Sequence, residues 1–215
     1  MHDAFGASYR TLIVSLLGLN PQAMLDKLAL WQVMTFLFVH TTFLHLLFNM
    51  LGLWWFGTDL EKAWGSKKFF RYFMFTGIGS GIVSLLMNQP TIGASGAIYG
   101  LLFAFGMLYP NRTIYLYFVL PLKAKYFVLL FGLIELAALM FSKTSGINHW
   151  AHLAGLFFGF LWFFIERNHI SPKSLLRRYR YYRHRKRFKV IVNEPPAPTN
   201  IKSGPFGNED NPTIH

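Results

Sequence analysis

Five long apolar runs organise the chain: Thr41–Gly57, Phe69–Met87, Gly93–Tyr109, Tyr126–Phe141 and His149–Ile165. Short breaks rich in Lys, Gly, Asn or Pro separate them. A helix that crosses a bilayer needs about 20 mostly apolar residues, with a range of roughly 17–25. Each run therefore predicts a spanning helix, several of them at the short end. Thr113–Leu120 is too short to cross and is stopped by Pro121, so it predicts an interfacial stretch between the third and fourth spans. Thr11–Leu19 is apolar only as far as Asn20-Pro21. It reads either as the remnant of an earlier span or as an amphipathic piece on the surface. No charged n-region, long apolar core and small-residue cleavage site marks a cleavable signal peptide.

From about Ser171 the pattern changes. The basic run "RRYRYYRHRKRFK" gives way to the Pro-, Asn- and Gly-rich end "NEPPAPTNIKSGPFGNEDNPTIH". That end lacks the apolar periodicity to build a core and reads as disordered. The expected division is an N-terminal segment over residues 1–30, a membrane domain over 31–166 and a basic cytoplasmic tail over 167–215. The fold class this implies is an all-α polytopic bundle with five clear transmembrane helices.

Composition agrees with the pattern. Only 14% of residues are charged while 53% are hydrophobic, against about 25% charged in soluble domains. The chain has no cysteine, which excludes disulfides and thiolate chemistry. The net charge of +12 raises the question of nucleic acid, but ten of the 21 Lys and Arg fall between Arg167 and Lys189. Such a cluster beside a membrane domain points to anionic lipid headgroups rather than to nucleic acid.

The positive-inside rule then sets orientation. Lys62, Lys67, Lys68 and Arg71 follow the first span; Arg112, Lys123 and Lys125 follow the third; the break at Asn88–Ile92 has no basic residue and the last loop has only Lys143. Spans one, three and five are expected to run from outside to inside, with the C-terminus cytoplasmic. Near their outer starts stand His40, His45 and Asn49, then Ser95 and Tyr99, then His149 and His152. Polar groups at membrane depth are costly and usually face the bundle interior or a wet cavity. One shared polar site opening to the outside is the expectation.

In "TIGASGAIYG" (Thr91–Gly100), a lone Ser95 between small residues would by itself serve packing, with Gly96 and Gly100 forming a GxxxG pair. Its company changes that. Tyr99 shares a helix face with Ser95. His152 opens the fifth span with Gly155 and Gly159 on nearly the same face, which would let that helix approach closely enough to bring a base to the serine. His45 and Asn49, four apart, present an imidazole and an amide that can donate to a developing oxyanion, with the Ser95 N–H as a third donor. No carboxylate is placed to complete a triad, and Glu135 in the fourth span reads as an internal hydrogen bond to a neighbouring helix. The expected site is a Ser–His dyad, with Tyr99 rather than an acid supporting the imidazole.

These residues resemble the rhomboid family of intramembrane serine proteases. "GASG" (Gly93–Gly96) is similar to that family's GxSG motif, "AHLAGLFFG" (Ala151–Gly159) to its AHxxGxxxG motif, and "HTTFLHLLFN" (His40–Asn49) to its H-x4-H-x3-N motif; "EKAWGS" (Glu61–Ser66) matches the loop that follows. The resemblance covers Trp31–Ile165. It implies Ser95 as nucleophile, His152 as general base, His45 and Asn49 as oxyanion donors, Tyr99 packed under the imidazole, and His40 as a structural or water-organising histidine. Gly93, Gly96 and Gly155 would support the site. It further implies transmembrane protein substrates, no cofactor or metal, and a multi-pass protein of a bacterial inner membrane. Two departures stand out. Trp31-Gln32 replaces the common Trp-Arg pair, and the first helix of a six-helix core is truncated or missing. Two rival readings are an inactive rhomboid-like protein that binds membrane clients, and a metal or haem protein ligated by His40, His45, His149 and His152. Against the second, there is no HExxH and carboxylates near these histidines are lacking.

Overall fold

A computed structural model describes residues 2–116, 119–141 and 146–167. The basic tail and Lys143 lie outside the described residues.

The N-terminal segment forms helix α1 (His2–Leu17), of 16 residues. Asn20 then caps α2 (Pro21–Lys27), its side chain accepting from the Gln22 and Ala23 N–H groups, with Pro21 at the first position where its missing N–H costs nothing. The short α3 (Gln32–Thr35) and a 3₁₀ turn (Phe36–Phe38) follow. Three side chains of this region close the end of α1. Trp31 Nε1 donates to the Leu16 carbonyl at 2.8 Å, Gln32 Nε2 to Ser15 at 3.0 Å and Thr35 Oγ1 to Leu17 at 2.7 Å. The last carbonyls of a helix lack intrahelical partners, and here side chains supply them. Gln32, in the place of the expected arginine, is 1% exposed and also accepts from the Asn20 N–H.

The first predicted span is built from α4 (Phe43–Gly52), a π-helical turn (Leu53–Gly57) and α5 (Thr58–Trp64). The Thr42 hydroxyl starts α4 by accepting from the His45 N–H. The other predicted spans correspond to α6 (Ser66–Leu86), α7 (Ser95–Leu108), α8 (Ala124–Phe141) and α9 (His149–Arg167). By length and apolarity α6 and α8 qualify as crossing helices; the segment 32–38 with 43–64 would be a third, broken by a 96° bend. Among the described residues the chain is an α-helical bundle with one hairpin. Where an interfacial stretch was expected, β1 (Thr113–Leu116) pairs antiparallel with β2 (Leu120–Lys123), Tyr115 opposite Pro121. Thr, Ile and Tyr suit a half-buried strand, and Ile114 is buried while Tyr115 is exposed.

Close approach of α6, α7 and α9 positions the site. Tyr72, Thr76, Ser80 and Ser84, one turn apart on α6, are fully buried. Their hydroxyls are satisfied by carbonyls: Thr76 donates to Tyr72, Ser80 to Gly77, Ser84 to Ser80, and Tyr72 across to Gly100 on α7 at 2.6 Å. A Cβ on Gly96 would strike the Ser80 side chain, one on Gly100 would stand 2.6 Å from Thr76 Cβ, and one on Gly155 would strike the Gly96 carbonyl. The glycines therefore set the helix separations. At one end of the bundle Lys68 pairs with Glu166 and Arg112 with Asp59.

Candidate active site

Ser95 is the first residue of α7. The chain reaches it through Gly93, whose φ of +93° suits glycine and whose N–H donates to the Phe36 carbonyl at 2.8 Å. As a first-turn residue, Ser95 has an N–H without an acceptor inside its own helix. His152 lies in the first turn of α9, and that turn is fixed by Asn148. The Asn148 amide donates to Ser84 Oγ at 2.9 Å and Thr91 Oγ1 at 2.6 Å, while its Oδ1 accepts from the Ala151 N–H. One asparagine thus joins α9 to α6 and to the loop before Ser95. Spacing alone gives no sign of this role for Asn148.

The result is a contact of 2.8 Å between His152 Nε2 and Ser95 Oγ. Tyr99, one turn along α7, lies face to face on the imidazole. His152 is buried at 9% exposure.

On α4, the His45 ring faces the serine loop, so closely that a Cβ on Gly93 would lie 2.5 Å from its Nε2. His40, in the break just before the first span, packs edge-on to it with ring centroids 4.9 Å apart. Asn49 is buried one turn along α4 and donates from Nδ2 to the His45 carbonyl at 2.7 Å, its other amide hydrogen meeting no acceptor among the described residues. Ser95, His152, Tyr99, His45, His40, Gly93, Gly96 and Gly155 all meet around this one locality.

The expectation that no carboxylate reaches the imidazole is corrected by Glu135 of α8. It is 5% exposed, accepts from the Tyr99 hydroxyl, and places Oε2 2.6 Å from His149 Nδ1 and Oε1 3.0 Å from His152 Nδ1. The last contact is an ion-pair distance, with the N–H not aimed closely enough at the oxygen to count as a hydrogen bond; no other partner meets that nitrogen among the described residues. The hydrogen bonds to neighbouring helices that the sequence suggested for Glu135 are present, on α7 and α9. His149, one of the polar residues expected at the outer start of the fifth span, is tied to Glu135 at the start of α9. Glu135, His149 and His152 also offer ligand atoms within 4.8 Å of one another. The argument that these histidines lack a carboxylate therefore fails for this pair.

Residues 27–169 match the rhomboid domain. The chain belongs to the rhomboid family. It is 34% identical over 134 residues to Rhomboid protein 1, mitochondrial, of Saccharomyces cerevisiae, covering 58% of this chain and 38% of the yeast protein. It is 32% identical over 153 residues to RHOMBOID-like protein 1 of Arabidopsis thaliana, covering 69% of this chain and 37% of the plant protein. It is 33% identical over 141 residues to the putative rhomboid protease YdcA of Bacillus subtilis, covering 63% of this chain and 66% of the relative. The chain spans less than half the length of the first two and about two thirds of the third. These rhomboid relatives come from mitochondrial, plant and bacterial sources, so the likeness identifies the family and a multi-pass membrane protein rather than a particular membrane.

Proposed function

We propose that this rhomboid protein is an intramembrane serine protease that cuts transmembrane protein substrates with a Ser95–His152 dyad at its centre. The observation that carries the reading is the 2.8 Å approach of His152 Nε2 to Ser95 Oγ, inside an apolar bundle whose glycines enforce that approach. A serine hydroxyl is a weak nucleophile until a base takes its proton, and an imidazole within hydrogen-bond reach is such a base. Ser95 Oγ attacks the substrate carbonyl carbon as its proton passes to His152 Nε2. The carbonyl oxygen becomes an oxyanion held by the Ser95 N–H, His45 and Asn49. The same Nε2 proton then goes to the leaving amine as the C–N bond breaks, and water repeats the sequence on the acyl-enzyme. His40 would keep His45 oriented.

Residues 31–166 would form the protease domain, with the site opening to the outer side and the basic tail beside anionic headgroups on the cytoplasmic side. The test is cleavage of a model transmembrane substrate in proteoliposomes by wild type, Ser95→Ala and His152→Ala. Loss of cleavage in both variants is expected; wild-type rates in either would overturn the mechanism.

A further inference from the structure

α8 is less enclosed than α6: 17% of its most apolar window is buried, against 50% for α6. Yet its single carboxylate, Glu135, is turned inward and 5% exposed. A carboxylate at that depth is costly unless it is paired, and three polar atoms converge on it. The Tyr99 hydroxyl donates to Oε1, His149 Nδ1 meets Oε2 at 2.6 Å, and His152 Nδ1 stands 3.0 Å from Oε1. An ionised carboxylate only accepts. Each of the three neighbours must then present a hydrogen, which puts the His152 ring hydrogen on Nδ1 and leaves the Nε2 lone pair facing the Ser95 hydroxyl. Protonation of Glu135 on Oε1, the oxygen facing His152, would reverse this, leaving Nδ1 an acceptor and Nε2 unable to act as a base.

From this geometry we infer that Glu135 is the third member of a Ser95–His152–Glu135 triad: a positioning residue that sets the imidazole tautomer and balances the imidazolium formed during acylation. The inference rests on the serine-protease reading above. As the Ser95 Oγ–carbon bond forms, the Oγ proton moves to Nε2. The Nδ1–H of the cationic ring stays on nitrogen and donates to Glu135, which remains a carboxylate throughout. Catalytic hydrogen bonds are often poorly aligned in the free enzyme and tighten only once substrate is bound, so the aim of that N–H does not bar Glu135 from this role. Tyr99 has two roles, holding the ring by its face and the carboxylate by its hydroxyl. His149 holds the second carboxylate oxygen, so Glu135 cannot swing away from the base.

A purely structural ion pair between Glu135 and His149 is the competing explanation, and the experiment separates the two. Full-length wild type, Glu135→Gln, His149→Gln and Ser95→Ala are assayed in proteoliposomes on a transmembrane substrate, with kcat and KM resolved across pH. The charged and titratable groups facing the imidazole are His45 from α4, Tyr99 from α7, Glu135 from α8 and His149 on α9 itself. In Glu135→Gln we expect kcat to fall by as much as about 10⁴, the scale seen when a triad acid becomes its amide. We also expect KM to stay within about threefold, since the substrate does not touch Glu135. The acid limb of kcat/KM should move to lower pH, because the imidazolium has lost its anion. His149→Gln, which keeps that anion, should leave the limb in place.

Wild-type kcat and an unmoved limb in Glu135→Gln, with Ser95→Ala inactive, would overturn the triad and leave the dyad standing. Activity in Ser95→Ala would overturn both. Should Glu135→Gln not fold, ring-nitrogen NMR of wild-type His152 decides: a hydrogen on Nδ1 supports the triad and a neutral ring protonated on Nε2 overturns it.

Discussion

Tyr99 lies on the His152 imidazole with ring centroids 4.4 Å apart and planes 10° from parallel, while its hydroxyl reaches Glu135. The two functions of this side chain can be separated. Tyr99→Phe keeps the stack and removes the hydroxyl; a hydrogen bond to a charged group is worth about 1.5–3 kcal/mol. Tyr99→Leu removes the stack as well, which adds about 0.5–1.5 kcal/mol. Activity should therefore fall in the order wild type, Phe, Leu. Equal rates for wild type and Phe, measured in one lipid mixture, would show that the hydroxyl contributes nothing to positioning.

The separation of α7 and α9 should be the most sensitive packing dimension. A Cβ at Gly155 would run into the Gly96 carbonyl, backbone that cannot turn aside. Gly155→Ala must push the helices apart, at a cost of typically 1–3 kcal/mol or more, and lengthen the Ser95–His152 contact. Gly132→Ala on α8 is the control. Its Cβ would meet only Leu156, at 3.4 Å, and alanine is favoured over glycine in a helix by roughly 0.8–1 kcal/mol. Thermal unfolding should show a lowered midpoint for Gly155→Ala and an unchanged or raised one for Gly132→Ala.

How much of this was legible in the sequence follows from how local each signal is. The helices at 69–87, 93–109, 126–141 and 149–165 announce themselves as apolar runs, and Ser95 and His152 by the small-residue patterns that let helices touch. Glu135 carried no such mark. Its partners Tyr99 and His149 lie 36 and 14 residues away, and spacing cannot show which side of α8 faces the bundle. Asn148 was hidden for the same reason, its two acceptors lying 64 and 57 residues away. The hairpin at 113–123 was missed because a short stretch ending at Pro121 looks like a break rather than a strand pair.

Gln32 should matter for stability and not for chemistry. It joins the end of α1 to the start of α2 through Ser15 and Asn20. Gln32→Ala removes two part-buried hydrogen bonds, to the Ser15 carbonyl and from the Asn20 N–H, each worth about 0.5–1.5 kcal/mol. Hydrogen exchange should speed up across residues 12–24 while kcat at low temperature holds. Unchanged protection in that segment would show that Trp31 and Thr35 suffice to fasten α1.

Metal dependence tests the cluster of Glu135, His149 and His152. If the site is a hydrolytic triad, treating purified protein with a strong chelator leaves cleavage intact. Added Zn²⁺ should inhibit, because a divalent ion held on the Glu135 side of His152, at Nδ1, would leave the ring hydrogen on Nε2, which could then no longer take the Ser95 proton. His149→Gln should weaken that inhibition by about 10-fold or more, the effect of removing a ligand or its support. Loss of activity on chelation, restored by stoichiometric metal, would instead favour a metalloenzyme.

The two side-chain oxyanion donors should differ in weight. His45 stands against the loop that carries Ser95, whereas Asn49 already commits one amide hydrogen to the His45 carbonyl. Removing a full oxyanion donor costs about 10²–10³ in kcat, and His45→Ala should reach that range. Asn49→Ala should lose less, because only its remaining amide hydrogen is available. It also removes the bond that braces the turn under His45, so part of its loss should be recovered at lower temperature. Rates of serine acylation by a fluorophosphonate, which reports the nucleophile without substrate docking, provide the measurement. A larger loss for Asn49→Ala than for His45→Ala would reverse the assignment and make the amide the principal donor.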